Sequence, residues 1–334
     1  MMTRYGSQMV LPEIGETGQI RLGRARLLVV GAGGLGSTLL PMLVGAGVGH
    51  IHIMDDDVVE EANLHRQPLY GMKDIGHNKA VVAVSRLNDL NPNVSLTAHP
   101  IGAQADTAAS VMEELCKVGR ERDYLAVLDA ADNFATTYML SDLCQHMNCP
   151  LVSASAMHWM GYAGIFCAGV PSYRAVFPDM SQNVQDCRTA GVLGPVVGLI
   201  GMLQAQLCLS HILGAVPSPA GQLYRWDAKA LRMSSFSFCN VREPNQAWPF
   251  LSFRQLRDDD VVIDVRSPGE QPSISHRNLH SLPLDHLTRL KKVDVPKTKR
   301  VVLFCQSGLR AARAAALLHQ QGYNRLALLA VRHQ

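Results

Sequence analysis

The chain has 334 residues, enough for one large domain or for one large and one small. Hydrophobic residues at 47% and charged residues at 18% make an ordinary globular balance. A net charge of +3 does not decide the question of nucleic acid, and the densest basic stretch, "RLKKVDVPKTKR" (Arg289 to Arg300), reads as a solvated loop, so no nucleic-acid partner is expected. The N-terminus lacks the apolar core and small-residue cleavage site of a signal peptide. The longest apolar run, Ala190 to Leu209, is punctuated by Gly and reads as a buried helix with its preceding loop rather than a membrane span. The eight Cys do not have the density of a secreted disulfide scaffold, so a cytoplasmic location with reduced thiols is expected.

"ARLLVV" (Ala25 to Val30) reads as a buried parallel strand, followed by a Gly-rich turn and an apolar helix over about 35–46. "HIHIMD" (His50 to Asp55) is the next strand, which completes a βαβ unit. A helix over 79–88 follows, then the strand "NVSLTAHP", the helix "DTAASVMEELCKVG" and the strand "YLAVLDAAD", which ends in carboxylates. "FATTYMLSDLCQHMN" is a further helix, "PLVSASA" a further strand, and "MGYAGIFCAG" suggests antiparallel strands. The alternation predicts a doubly wound, Rossmann-like, mostly parallel α/β sheet with an antiparallel extension. A polar stretch with two Pro at 240–250 predicts a boundary, giving domains at 1–240 and 251–334 joined by a linker at 241–250. In the second domain, "VVIDVRS" is a strand, and "RVVLFCQSGLRAARAAALLHQQGY" is a strand, a small-residue turn and a helix.

The turn reads Gly31-Ala32-Gly33-Gly34-Leu35-Gly36, a Gly-x-Gly-x-x-Gly pattern in which the backbone approaches a phosphate at a helix N-terminus. Asp55, about 20 residues on, suits ribose hydroxyls. The residues beyond Asp55 argue against a nicotinamide cofactor. Asn63, Arg66 and Gln67, then Lys79, then Asp129, Asp132 and Asn133 suit a nucleoside triphosphate. The cations offset charge developing on the α-phosphate, and a strand-end Asp can hold Mg²⁺. Asp132 could equally cap the helix that begins "NFATT".

In order, "RYGSQMVLPEIGETGQIRL", "ARLLVVGAGGLGS", "DDDVV", "NLHRQ", "IGHNKA", "DAADNFATTY" and "DCRTAGVLGPVVGLIGMLQA" resemble the MoeB/ThiF adenylyltransferases, relatives of ubiquitin-activating enzymes, over residues 3–238. The resemblance implies ATP with Mg²⁺ and attack on the α-phosphate by the C-terminal Gly carboxylate of a small ubiquitin-like sulfur carrier ending in Gly-Gly. It also implies a homodimer; the short, interrupted apolar runs predict no membrane association. Matching positions imply a nucleotide cradle of Gly31, Gly33, Gly34 and Gly36, with Asp55 on ribose. They put Asn63, Arg66 and Lys79 at the phosphates and Asp132 on Mg²⁺, with Gln67 and Asn133 among the nucleotide-binding residues. Arg66, Lys79 and Asp132 are the implied catalytic groups.

Two cysteines carry an expected sulfur chemistry. Cys187 in "NVQDCRTAG" matches the family Cys that bonds covalently to the activated carrier or its sulfur, and Arg188 could lower its pKa. From about residue 250 the chain resembles a small α/β rhodanese domain, in "VVIDVRSPGE" and in "FCQSGLRAA", where the backbone N–H groups of the loop and Arg310 would stabilise a thiolate or persulfide on Cys305. A cysteine desulfurase or other sulfur donor would supply it. Cys116, Cys144, Cys149, Cys167 and Cys208 read as buried small hydrophobes.

Three departures from the family pattern stand out. The usual second Arg of "RYSRQ" is Ser7, with Arg4 three residues away. The first Cys-x-x-Cys zinc pair is replaced by Ser172-Tyr173-Arg174-Ala175, and only Cys239 stands near the second, so no zinc site is expected and packing should take its place; the His residues show no ligand spacing. The rhodanese-like part is short and reads as truncated. The rival readings are a diverged enzyme adenylating a peptide carboxylate, a NAD-binding oxidoreductase, and a non-catalytic carrier-binding scaffold.

Overall fold

The computed structural model describes residues 4–118, 120, 123–178, 191–271, 274–290 and 293–330. Strand β1 (Arg26–Val30) is buried at every position. The apolar run Leu27 to Val30 is what a central parallel strand needs, because both of its faces are covered, and the buried Arg26 that opens the strand donates to carbonyls that include those of Leu115, Val118 and Asp123. It pairs in parallel with β2 (His50–Met54) on one side and β4 (Leu125–Asp129) on the other. The parallel strands β3 (Ser95–His99) and β5 (Leu151–Met157) extend the sheet beyond them. Then β6 (Met160–Phe166), β7 (Gln222–Asp227) and β8 (Arg232–Ser237) continue antiparallel. The order β3-β2-β1-β4-β5-β6-β7-β8 is the doubly wound sheet with an antiparallel extension that the sequence predicts.

Ten helices lie among the described residues: α1 (Gly6–Met9), α2 (Gly15–Arg24), α3 (Gly36–Gly45), α4 (Lys79–Leu90), α5 (Ala105–Lys117), α6 (Phe134–Met147), α7 (Tyr173–Val176), α8 (Gly194–Leu213), α9 (Leu284–Leu287) and α10 (Leu309–Gln320). Alternate side chains of β1 serve opposite cores. Leu27 and Val29 pack with α3, α4 and α8, while Leu28 and Val30 pack with α5 and α6. α8 is long and apolar enough to cross a membrane by composition alone. Here it lies against α3, β5 and β6, and Gln204 on it donates to the carbonyls of Asp129 and Val152 at 2.8 and 2.9 Å.

A second, all-parallel sheet has the order β11 (Leu279–Ser281), β10 (Val261–Asp264), β12 (Val301–Cys305), β13 (Leu326–Ala330), β9 (Phe250–Leu251). The α5/α6 core runs on into this sheet, joining Ala135 and Met139 to Phe250, Ile263 and Leu303 in one cluster. The stretch 241–250, expected as a linker, is held at both ends. Glu243 accepts from the Ser172 N–H at 2.7 Å and from its hydroxyl at 2.6 Å, and Phe250 opens β9.

Candidate active site

The parallel part of the first sheet changes direction of growth between β1 and β4, the switch point at which open α/β sheets bind ligands. Two loops leave the strand ends there. After β1 comes the Gly turn, and after β4 comes Ala130 to Asn133. They touch, since the Ala130 N–H donates to the Val30 carbonyl at 2.8 Å.

The four glycines have different jobs. Gly31 has φ +98°, and a Cβ there would lie 2.5 Å from the Ala130 carbonyl oxygen. A Cβ on Gly36 would lie 2.2 Å from the Gly31 carbonyl oxygen, and one on Gly34 would lie 2.7 Å from Val197 Cγ1 of α8. These three serve the turn and its packing. A Cβ on Gly33 would meet only Gln67 Nε2, at 3.6 Å. Gly33 therefore borders open space, and Gln67, itself 3% exposed, points a side chain at it whose Oε1 has no partner. The amide Nε2 that Gln67 turns to Gly33 is a donor beside a Gly turn and a helix N-terminus, which fits an anionic group of a ligand.

The remaining expected residues ring this turn. Asp55 sits at the end of β2, where Oδ2 accepts from the Ala32 N–H at 2.7 Å and Oδ1 from the Asp57 N–H at 2.9 Å. Burial pushes its pKa up against those two bonds. Arg66 donates to Asn63 Oδ1 at 2.8 Å. Lys79 opens α4 with its side chain buried and its ammonium 2.7 Å from Asp57 Oδ2. Asp132 is exposed at the mouth of the β4 loop. Asp129 is wholly buried, with Oδ1 accepting from the Ala131 N–H at 3.2 Å and Oδ2 from the Ser153 hydroxyl at 2.8 Å, so it braces the loop.

Asn133 is the N-cap of α6, its Oδ1 accepting from the Thr136 N–H at 3.2 Å and its Nδ2 donating to the Thr136 hydroxyl at 2.9 Å. Arg4 donates to the Leu90 carbonyl at 2.8 Å, at the far end of α4 from Lys79. At the place of the first zinc pair, Ser172 is bonded to Glu243.

The sequence reading passed over Tyr70 and Asp57. Tyr70 lies under the Gly turn and donates to the Ala32 carbonyl at 2.6 Å. Burial holds its hydroxyl protonated far above neutral pH, so it is a permanent donor. Tyr70 and Asp57 both lie within the Asp55–Tyr70 stretch, but nothing in their spacing marks them, because their partners come from distant segments.

In the second sheet, β12 delivers Cys305 to a turn that opens α10. The Gly308 and Ala311 N–H groups lie 3.1 and 3.3 Å from its Sγ, the nest that the sequence predicts. Arg310 makes two bonds of 2.6 Å to Glu270, whose pKa falls to about 2, chiefly through those bonds. Burial works against the expected thiolate. Cys305 is fully buried, and desolvation outweighs the N–H groups and Arg310, raising its pKa. The turn is covered from both sheets: at Gly308, φ +83°, a Cβ would lie 2.7 Å from the ring of Phe250 on β9 and 3.1 Å from Ala135 Cβ on α6. Cys144, Cys149, Cys167 and Cys208 are buried as expected, but Cys116 is exposed near the end of α5. Cys187 lies outside the described residues.

A model of the ThiF family matches residues 5–249, and one of the rhodanese-like domain matches residues 252–330. The chain belongs to the ThiF family. This ThiF-family chain is similar to the adenylyltransferase and sulfurtransferase UBA4 of Meyerozyma guilliermondii, 32% identical over 96% of this chain and 84% of that one. It is also similar to the sulfur carrier protein adenylyltransferase of Thermus thermophilus, 39% identical over 68% of this chain and 83% of that one. Among solved structures, E. coli MccB with ATP shares the fold, with a TM-score of 0.58 and 22% identity over 72% of this chain and 74% of that one. The ThiF-family chain is an adenylyltransferase with an attached sulfurtransferase module.

Proposed function

We propose that this chain uses ATP to adenylate the C-terminal glycine carboxylate of a small ubiquitin-like sulfur carrier, that a persulfide on Cys305 then displaces AMP to give an acyl disulfide, and that the Cys187 thiol cleaves this disulfide at Cys305, releasing the carrier thiocarboxylate and leaving a Cys187–Cys305 disulfide for a thiol reductant to reopen. The names of the two relatives support the substrate class. The observation that carries the reading is the junction of the two sites. Gly308 of the Cys305 turn packs on Ala135, two residues past Asn133, so the sulfur loop and the Asp132 loop meet at the start of α6.

In this reading, ATP is the co-substrate and lies across the Gly turn, with Gly33 allowing the closest approach and the Gln67 amide Nε2 that faces Gly33 donating to it. Arg66 and Lys79 offset the charge that builds on the α-phosphate as the carboxylate oxygen attacks and pyrophosphate leaves. Lys79 is placed for this by Asp57, and Arg66 by Asn63. Asp132 would hold Mg²⁺, which supplies charge neutralisation on the departing phosphates; Asp129 is committed to Ser153 and the loop backbone. Tyr70 keeps the turn in shape through the Ala32 carbonyl. The nest at Gly308 and Ala311 would receive a persulfide sulfur on Cys305, taken from a donor of the cysteine desulfurase class.

The test is ATP–pyrophosphate exchange with and without a carrier ending in Gly-Gly, alongside an Asp132→Ala control. Carrier-dependent exchange that the control lacks supports acyl-adenylation. Exchange only with a short peptide would replace the carrier by a peptide substrate, and ATP binding without any exchange would reduce the chain to a scaffold.

A further inference from the structure

The face of the first sheet beneath α5 carries a cluster of metal-ligating groups away from the Gly turn. His52 on β2 and His99 on β3 are diagonal neighbours on one face, since His52 stands opposite Thr97 and His99 opposite Met54. Their rings lie 4.9 Å apart, and His99 Nε2 is 2.9 Å from His52 Nδ1. Glu114 comes down onto them from α5. One ligand atom from each of the three residues lies within 4.8 Å of the other two.

We propose that His52, His99 and Glu114 form a binding site for a borderline divalent cation, Zn²⁺ foremost, that clamps α5 onto the β2–β3 edge of the sheet. Two imidazole nitrogens and one carboxylate oxygen are a ligand set that Zn²⁺ accepts, with a fourth position left for water. Bonds of about 2.0–2.1 Å in a tetrahedron hold two nitrogens about 3.3–3.4 Å apart. The 2.9 Å contact of the two rings therefore has to open by only a few tenths of an ångström for an ion to replace the shared proton. The donors differ in mobility in a useful way. His52 is buried and His99 half-buried, both held by strands, while Glu114 is exposed on its helix and can swing to complete the set. Burial also lowers the pKa of both rings, so both offer neutral nitrogen. The site's position gives the ion something to do. α5 also packs against β1 and against β9 of the second sheet, so fixing α5 fixes one of the helices, with α6, on which the two sheets meet. This site is unrelated to the paired cysteines of the family, whose places here include Ser172 and Ala175.

The experiment uses the full chain, stripped with chelator, dialysed against Zn²⁺ and assayed for bound metal, with Glu114→Gln and His99→Ala in parallel. Glu114 is exposed, so its variant keeps the fold even if the His99 variant does not; circular dichroism checks both. The expected result is one equivalent of Zn²⁺ lost or weakened more than about tenfold in each folded variant, tenfold being the low end of what an outer-shell partner alone costs. Co²⁺ in place of Zn²⁺ should give visible bands without thiolate charge transfer, and zinc should raise the Tm of the wild type more than that of Glu114→Gln. Equal zinc content and affinity in the wild type and both variants, or no zinc retained by the wild type, overturns the proposal and leaves a hydrogen-bonded histidine pair.

Discussion

The Lys79 ammonium lies 2.7 Å from Asp57 Oδ2, with the lysine side chain 4% exposed and the aspartate 44% exposed. The charge at the base of the nucleotide cradle is thus held from its solvent side by a carboxylate that can let go. Lys79→Ala should lower carrier-dependent pyrophosphate exchange by about 10²–10³-fold, the loss that follows removal of one preorganised donor. Asp57→Asn keeps a hydrogen-bonding group beside Lys79 and should lower exchange far less. Equal losses in the two variants would assign the function to the pair rather than to the lysine.

The four glycines of the turn separate binding from folding. Gly36→Ala meets the Gly31 carbonyl at 2.2 Å and should destabilise the chain by about 1–3 kcal/mol, as overpacking does. Gly33→Ala has 3.6 Å to its nearest neighbour and should leave the melting temperature almost unchanged while weakening ATP binding at least tenfold. Calorimetry on the two variants checks the split; a Gly33→Ala chain with normal ATP affinity would move the nucleotide off this turn.

Cys305 should be slow to react. Its thiol pKa lies above the ordinary value and the group is buried, so its thiolate fraction at pH 7 is smaller than that of a free cysteine. Iodoacetamide at pH 7.5 should label Cys116 and Cys239, both exposed, well before Cys305. Labelling of Cys305 should climb about tenfold per pH unit below its pKa, since each unit raises the thiolate tenfold. Peptide mapping by mass spectrometry reads this directly. Ala135→Glu, which disturbs the cover on the turn, should speed the labelling.

The Glu270–Arg310 pair makes an acid-sensitive contribution. Glu270 has its folded pKa depressed from 4.5 to about 2. The stabilisation is therefore complete above about pH 5 and is lost as the pH falls toward 2. Thermal melts of Glu270→Gln and the wild type should differ most near neutrality and converge toward pH 2. A constant difference across that range would show that the pair contributes through packing rather than charge.

Much of the chain could be read without coordinates because its information is local. The run Ala25 to Val30, apolar but for Arg26, reads as a strand covered on both faces, and the Gly turn after it, with Asp55 about 20 residues on, marks a βαβ unit whose ligand lies at the strand ends. Spacing likewise gave Cys305 to a strand-end loop ahead of a helix. Other assignments depended on which segments meet in space, and here tertiary contact decided. Asn133 and Asp132 are adjacent and both can cap a helix, yet only the position of the Thr136 N–H makes Asn133 the cap. The hold of Asp57 on Lys79 joins residues 22 apart, and that of Tyr70 on Ala32 residues 38 apart. His52 and His99 are 47 apart and show no ligand spacing until parallel strands set them side by side. Cys305 illustrates the physical reason most clearly. Its loop sequence specifies the N–H groups that favour an anion, but its ionisation is set by the balance of those groups against desolvation. The desolvation comes from burial, which the folded chain imposes and the loop sequence does not encode; next to Cys305 the turn at Gly308 is closed over by Phe250 and Ala135 from other parts of the chain.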